Sequence, residues 1–446
     1  MSTWRAGEQT TLNRALAAWF LVTLFLLPLY PKVGLVAISG TYIPVRADDL
    51  LIGSLGLIWA ISLIAARRRP PLPTLVAGAA ALWLAVTLVA LVVGAFVLGS
   101  IGFLTGVAFW AKPLEYLLLA WIAYDLVRSQ ITSVRAVLAV VFASSAIVIG
   151  YGFFEHFRLV PRLPGQMAAP GVPTSTIGDV HELASYLGIV AVVLVAVWHR
   201  ITSAMVRVAA LIGLVLLLAT IYYTGSRSEY VALGLCLLGL AFWRPARIPS
   251  SVGIAVMVLL FAVPLIGNLI SPLLPSGGSN GGVEVPGDGT VTDRFFGEAL
   301  GSSFDQRFNV KWRRYIEETM RSPIIGLGPS AATEAADGYY MRSFVESGIA
   351  GLISFVILVG AVFVSIWRVA RRAVGLGRAV GVGMVAATVF VALVSVLIDT
   401  WVASRVMELY WPLLGTALAV GALQGVADEP VPSVVAGSPV TSTGGA

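Results

Sequence analysis

The chain repeats one pattern almost from end to end: apolar runs of about 20 residues, separated by short polar gaps. Folded as a helix, such a run satisfies its own backbone hydrogen bonds and is long enough to cross the hydrocarbon core of a bilayer. The pattern therefore predicts an all-α, polytopic membrane bundle. About twelve transmembrane helices are expected, near residues 15–31, 50–66, 74–97, 101–126, 136–154, 183–199, 208–224, 229–243, 251–270, 343–367, 380–398 and 406–424. Lys112-Pro113 interrupts the fourth. Composition supports the pattern: hydrophobic residues make up 58% of the 446 and charged residues 12%, about half the charge that a soluble surface carries. A soluble enzyme, a disordered chain and a free nucleic-acid module are excluded, and the net charge of +6 is read as basic loops, with no nucleic-acid partner. One cysteine, Cys236, excludes an intrachain disulfide. With only His156, His181 and His199 beside it, a structural zinc cluster is not expected.

Fifteen of the 29 Lys and Arg residues fall in alternate loops, among them Arg67-Arg68-Arg69, Arg128, Arg135, Arg200, Arg207, Arg244, Arg247, Arg368, Arg371, Arg372 and Arg378. The positive-inside rule then puts both termini in the cytoplasm, in agreement with an even number of spans. Residues 1–14 read as a cytoplasmic leader to an uncleaved anchor. Residues 15–427 form the membrane domain, with 271–342 as one long outer loop between spans nine and ten. The loop contains a flexible Gly/Ser stretch at 276–282, and a disordered tail occupies 428–446.

Ionisable residues are costly in lipid, so their positions direct attention. The first candidate is Thr224-Gly-Ser-Arg-Ser-Glu-Tyr230, where Arg227 and Glu229 separate two apolar runs at the outer edge. Arg227 would hold an anionic headgroup; the plainer alternative is a self-paired turn. The second is Phe304–Met320, whose aromatic spacing predicts an amphipathic helix with Arg307, Lys311 and Arg314 along one stripe. Simple interfacial anchoring is its alternative, and Arg313 and Glu317 read as a solvent-facing pair. The third is the glycine-bearing turn Ser322–Pro329, followed by Asp337-Gly-Tyr-Tyr-Met-Arg342. Asp337 stands where water meets lipid, as a ligand or as a helix cap. Elsewhere, Asp179 is expected to cap the sixth span, Asp48 or Asp49 the second, and Lys112 to pair with Glu115.

These motifs together resemble the O-antigen ligase and polymerase family. The resemblance rests on Thr224-Gly-Ser-Arg-Ser, on Trp312 followed by Pro323-Ile-Ile-Gly-Leu-Gly-Pro329, and on Asp337-Gly-Tyr-Tyr-Met followed by Glu346-Ser-Gly-Ile-Ala-Gly-Leu352. It includes the earlier Thr176–Leu187, and covers residues 175–355. It implies a GT-C-type glycosyltransferase of the bacterial plasma (inner) membrane. Such an enzyme needs no metal or nucleotide, so no cofactor is expected, and it moves glycan from a polyprenyl-pyrophosphate-linked donor to a glycan or lipid-linked acceptor, among membrane lipids. Many ligases carry a His where this chain has Asp337-Gly338, which favours a surface-polysaccharide polymerase over a ligase. Phe308 stands where the family usually has Arg, so the role of that cation passes to Arg307 or Lys311.

Read this way, Arg227 and Arg307 neutralise the departing diphosphate, with Lys311 and Arg314 in reserve, since guanidinium forks match phosphate oxygens. Asp337 is the expected base, with His181 and Glu229 as further choices. Tyr339 and Tyr340 are expected to line the substrate. A multi-span transporter is the alternative from another class, although carriers place charge near the midplane. The related peptidoglycan polymerases and a lipid-binding scaffold are further alternatives.

Overall fold

The computed structural model describes residues 2–37, 44–70, 73–163, 166, 168, 171–243, 306–332 and 337–425. The ninth expected span, the Gly/Ser stretch, Phe304 and the tail lie outside the described residues. The elements are α1 (Ser2–Leu26), β1 (Gly34–Ala37), β2 (Pro44–Arg46), α2 (Ala47–Ala66), α3 (Thr74–Val92), α4 (Phe103–Arg128) and α5 (Val134–His156). They continue with α6 (Val180–Val197), α7 (Ala204–Thr224), α8 (Arg227–Phe242), α9 (Arg313–Thr319), α10 (Tyr339–Arg372), α11 (Gly375–Val394) and α12 (Ser404–Leu423). Eleven of the expected spans coincide with helix. Nine helices among the described residues are long and apolar enough to cross a membrane. The apolar part of α1, Thr11–Leu26, is shorter, and α8 has 16 residues. The chain is thus an all-α, multi-pass membrane protein. Pro113 is accommodated inside a continuous α4.

Side-chain caps start several spans where the sequence supplies them. Ser133 Oγ accepts from Ala136 N at 3.1 Å, and Asp179 Oδ1 accepts from His181 N and Glu182 N at 2.9 and 3.0 Å. These bonds satisfy amide groups that a helix start leaves without partners. Helices α6, α11 and α12 form the buried centre. α6 packs on α11, α12 on α4, and α3 on α10. Small residues permit the close approaches: Gly188 faces the Phe390 ring, and Gly415 lies on the backbone of Ala120. Around this centre, Leu57, Ile64, Val89 and Val208 remain exposed, as expected of surfaces that meet lipid.

Because successive spans alternate in direction, the loops sort to two ends. At the arginine-rich end, buried Asp125 is gripped by both terminal nitrogens of Arg68 at 2.5 and 2.8 Å and accepts from Trp59 Nε1 at 2.8 Å. At the opposite end, the unforeseen β1–β2 hairpin, in register Gly34↔Arg46, presents Lys32 and Arg46 beside the starts of α6 and α12.

A buried ion cluster ties this end together. Arg405 Nη1 donates to Glu408 Oε2 at 2.8 Å and lies 3.8 Å from Asp48 Oδ2. Its Nη2 donates to the Tyr30 carbonyl at 2.8 Å. The first two spans are thereby joined to the last.

Candidate active site

The 323–329 segment is explained by a break in α10. Gly348 sits at φ 64°, ψ −166°, a conformation closed to most L residues. The break leaves helix carbonyls and amides unpaired, which would cost several kcal/mol each in an apolar setting. The Pro323–Gly328 segment replaces those bonds. Leu327 N and Gly328 N donate to the Val345 and Glu346 carbonyls, both at 2.9 Å. Ile349 N and Ala350 N donate to the Pro323 and Ile324 carbonyls at 2.9 and 3.1 Å. A Cβ on Gly326 would collide with the backbone at Ser347 and Gly348. The glycines expected to approach a ligand therefore approach the broken helix.

This brace fixes the start of α10, where Arg342 anchors the outer turns. It donates to Asp399 Oδ2 at 2.9 Å through Nη1, to Glu346 Oε1 at 3.1 Å through Nε, and to the Ala332 carbonyl at 3.3 Å. Asp399 also accepts from Gly338 N at 3.3 Å. Trp312 Nε1 donates to the Asp337 carbonyl at 3.3 Å. Asp337 is thus held from both sides, with its carboxylate directed at two cations. Lys311 Nζ lies 2.7 Å from Asp337 Oδ2 and Arg307 Nε 3.9 Å from the same oxygen.

The amphipathic segment is helical, but Gln306–Trp312 is wound as a π-turn before α9. The wider turn changes the phase of the stripe. Arg307 and Lys311 face Asp337, whereas Arg314 lies over the Tyr315 ring at 5.0 Å and 3.8 Å from Glu318. Arg313 and Glu317 form an exposed pair at 3.1 Å.

Glu229, fully buried at the start of α8, does not pair with Arg227. It lies 3.1 Å from His181 Nδ1 and accepts from Ser228 Oγ at 2.6 Å. Ser226 Oγ is 3.2 Å from the same ring nitrogen. A proton on Nδ1 would be donated to Glu229, and Nε2 would then be left as an acceptor. Arg227 Nη1 is buried without a hydrogen-bond partner among the described residues.

A cavity of about 250 Å³ gathers Asp179, His181, Glu182, Arg307, Asp337 and Asp399. The sequence-selected residues His181, Arg307 and Asp337 therefore meet. Arg227 is not in the lining of this cavity; it is linked to it through Ser226 and His181. Tyr339 is buried against Phe355 and Trp401, and Tyr340 donates to the Ala392 carbonyl at 3.2 Å. Both stabilise helix packing, away from the lining. Asp399 and Glu182, which no sequence motif singled out, are drawn into the lining as well. Among the described residues no group of three His, Cys, Asp or Glu side chains converges to hold a metal ion.

Fold and site together define a multi-pass membrane protein with a mixed-charge cavity at the end of its bundle opposite the arginine-rich loops. A family model described as O-antigen ligase matches residues 212–356. The match runs from α7 into α10 and takes in the Thr224–Ser228, Trp312, Pro323–Pro329 and Glu346–Leu352 motifs. Over that stretch the chain is similar to the O-antigen ligase family, in agreement with the motif resemblance. No curated protein sequence matches the chain.

Proposed function

We propose that this protein is a membrane glycosyltransferase that takes glycan from a polyprenyl-pyrophosphate carrier at the outer face of the plasma membrane. It extends a surface polysaccharide, as a polymerase. The observation that supports this reading best is the convergence of Arg307 and Lys311 on Asp337, which with Arg307 and His181 lines one cavity. Beside that cavity, Arg227 has a buried nitrogen without a partner among the described residues. A buried donor left unsatisfied is costly, about 1–3 kcal/mol, and a diphosphate would satisfy it. The O-antigen ligase match spans these three cations.

The reaction needs little more than placement and charge. An acceptor hydroxyl oxygen attacks the anomeric carbon of the donor sugar. A new C–O bond forms, the bond to the phosphate oxygen breaks, and the diphosphate leaves with the electron pair. Arg227, Arg307 and Lys311 neutralise it, at about 3 kcal/mol of barrier for each well-placed donor. The hydroxyl proton passes to His181 Nε2, because Glu229 holds the other ring nitrogen. Asp337, already engaged by Lys311, positions the two cations instead. The polymerase reading rests on Asp337-Gly338 standing where ligases carry a His.

Arg227→Ala and Arg307→Ala are each expected to abolish polymer in the producing cell while the protein stays in the membrane. Polymer of unchanged length and yield would refute the scheme. A transporter would need its charges near the bilayer midplane; here Arg227, Arg307, Asp337, Arg342 and Asp399 lie at one end of the spans.

A further inference from the structure

A second cavity, of about 200 Å³, adjoins the first. Glu182 and Val402 line both. Its wall is supplied by the β1–β2 hairpin region, by the middle of α4 and by the start of α12, elements outside residues 212–356. The polar lining is Lys32, Arg46, Lys112 and Glu182, and the aromatic lining is Phe109, Tyr116 and Trp401.

Its aromatic lining distinguishes this cavity from its neighbour, whose wall holds no Phe, Tyr or Trp. Each cation is already engaged. Lys32 pairs with Glu182, and Arg46 Nη2 lies 3.0 Å from Asp48 Oδ2. Lys112 pairs with Asp49 and lies 3.0 Å from Glu115 Oε2. Arg307 and Lys311 are likewise paired with Asp337 at the first cavity, so charge alone does not separate the two. The second cavity offers donors and acceptors in balanced pairs, next to aromatic surface. The Trp401 indole N–H, in the same wall, has no acceptor among the described residues. A sugar ring has the complementary chemistry: hydroxyls around its edge and an apolar C–H face for an aromatic ring. Apolar walls with a few placed polar groups are the general form of small-ligand sites.

Joining two saccharides requires both at once, one beside the diphosphate and one presenting a hydroxyl. We propose that the Lys32–Arg46–Lys112–Glu182 cavity is the acceptor-saccharide subsite, taking an uncharged sugar ring at the growing end, with Glu182 as the wall across which the acceptor hydroxyl reaches the donor sugar. The proposal rests on the glycosyltransferase reading above. It adds that the acceptor is held by the N-terminal part of the chain together with the start of α12, all outside residues 212–356.

The test uses the full-length protein in lipid nanodiscs. The donor is lipid-diphosphate oligosaccharide isolated from the producing cell, and the acceptor is the same oligosaccharide freed of its lipid. Ser404→Leu fills the second cavity from the buried start of α12. Lys32→Gln removes one of its charges at a partly exposed position, where folding is least at risk. Both are expected to raise the acceptor KM at least about tenfold, a loss of about 1.4 kcal/mol, and to leave the donor KM within about twofold. A raised donor KM with an unchanged acceptor KM, or no change in either, overturns the proposal. If Ser404→Leu does not purify as a single folded species, Lys32→Gln decides alone. A second measurement needs no turnover. p-Benzoylphenylalanine replaces Phe109 in one protein and Ile398, in the first cavity, in another, and both are irradiated in the producing cell. Saccharide adducts of graded length are expected from position 109. Saccharide adducts from 398 with none from 109 overturn the acceptor placement. A folded wild type that extends no acceptor, with no saccharide adduct from either position, overturns the glycosyltransferase reading and the subsite with it.

Discussion

Replacing Glu229 by Gln tests the proposed proton acceptor with the smallest change in shape. Glu229 is fully buried, and its two oxygens are divided between His181 Nδ1 at 3.1 Å and Ser228 Oγ at 2.6 Å. A hydrogen bond to a charged group contributes roughly 1.5–3 kcal/mol net. Gln can keep the Ser228 bond through its carbonyl, but its NH₂ then faces the imidazole and stabilises the tautomer with the proton on Nε2. That tautomer cannot accept a proton from the cavity side. General base catalysis contributes about 10²–10⁴-fold, so kcat should fall at least about 100-fold. The KM values should stay within about threefold, because neither substrate touches Glu229. The assay is chain extension by purified protein in nanodiscs, with the thermal midpoint measured in parallel. His181→Ala should lose a similar factor, and the double variant should be no worse than either single one, since the two side chains act as a unit. A Glu229→Gln enzyme within about threefold of wild-type kcat, or fully additive losses, would refute the assignment.

Asp337→Asn separates positioning from base catalysis. Without its charge, Lys311 and Arg307 lose their common partner, so kcat should fall and the donor KM rise, each about tenfold, with the pH dependence of kcat retained; loss of that pH dependence would return the base role to Asp337. Gly348→Ala should lower the thermal midpoint, because a left-handed φ costs a non-glycine residue about 1–2 kcal/mol and the new Cβ meets the Ile324 backbone; an unshifted midpoint would remove the brace from the argument. Arg342→Met leaves the partly buried Glu346 and Asp399 without their shared cation, a loss of up to about 3 kcal/mol, seen as reduced folded yield on size exclusion; wild-type yield would show that the cluster does not hold the outer turns.

The sequence determined the solvent, the class and the arrangement of the spans. Runs of apolar residues too long and too poor in charge for water leave only a helical bundle, and eleven of the expected helices lie where hydrophobicity placed them. Hydrophobicity is a local sum, readable without knowing any neighbour. The same holds for Asp179 as the α6 cap and for the Lys112–Glu115 and Arg313–Glu317 pairs, whose partners lie within one turn of helix. The motifs that carried the resemblance were legible for a similar reason: each is a short string.

Tertiary structure decided which of the costly charges meet. Lys311 and Asp337 are 26 residues apart, His181 and Glu229 are 48 apart, and Arg342 and Asp399 are 57 apart; no periodicity links such positions. Glu229 follows Arg227 by two residues, yet a helix start points the two side chains in different directions, and only the packing of α6 against α8 gives the carboxylate to His181. Tyr339 and Tyr340 looked available beside Asp337, but the direction of α10 turns them into the helix packing. The Pro323–Gly328 glycines signalled close approach, and the fold alone decided that what approaches is the broken backbone at Gly348. An ion pair or a cavity depends on distances in space, and a sequence records only distances along the chain.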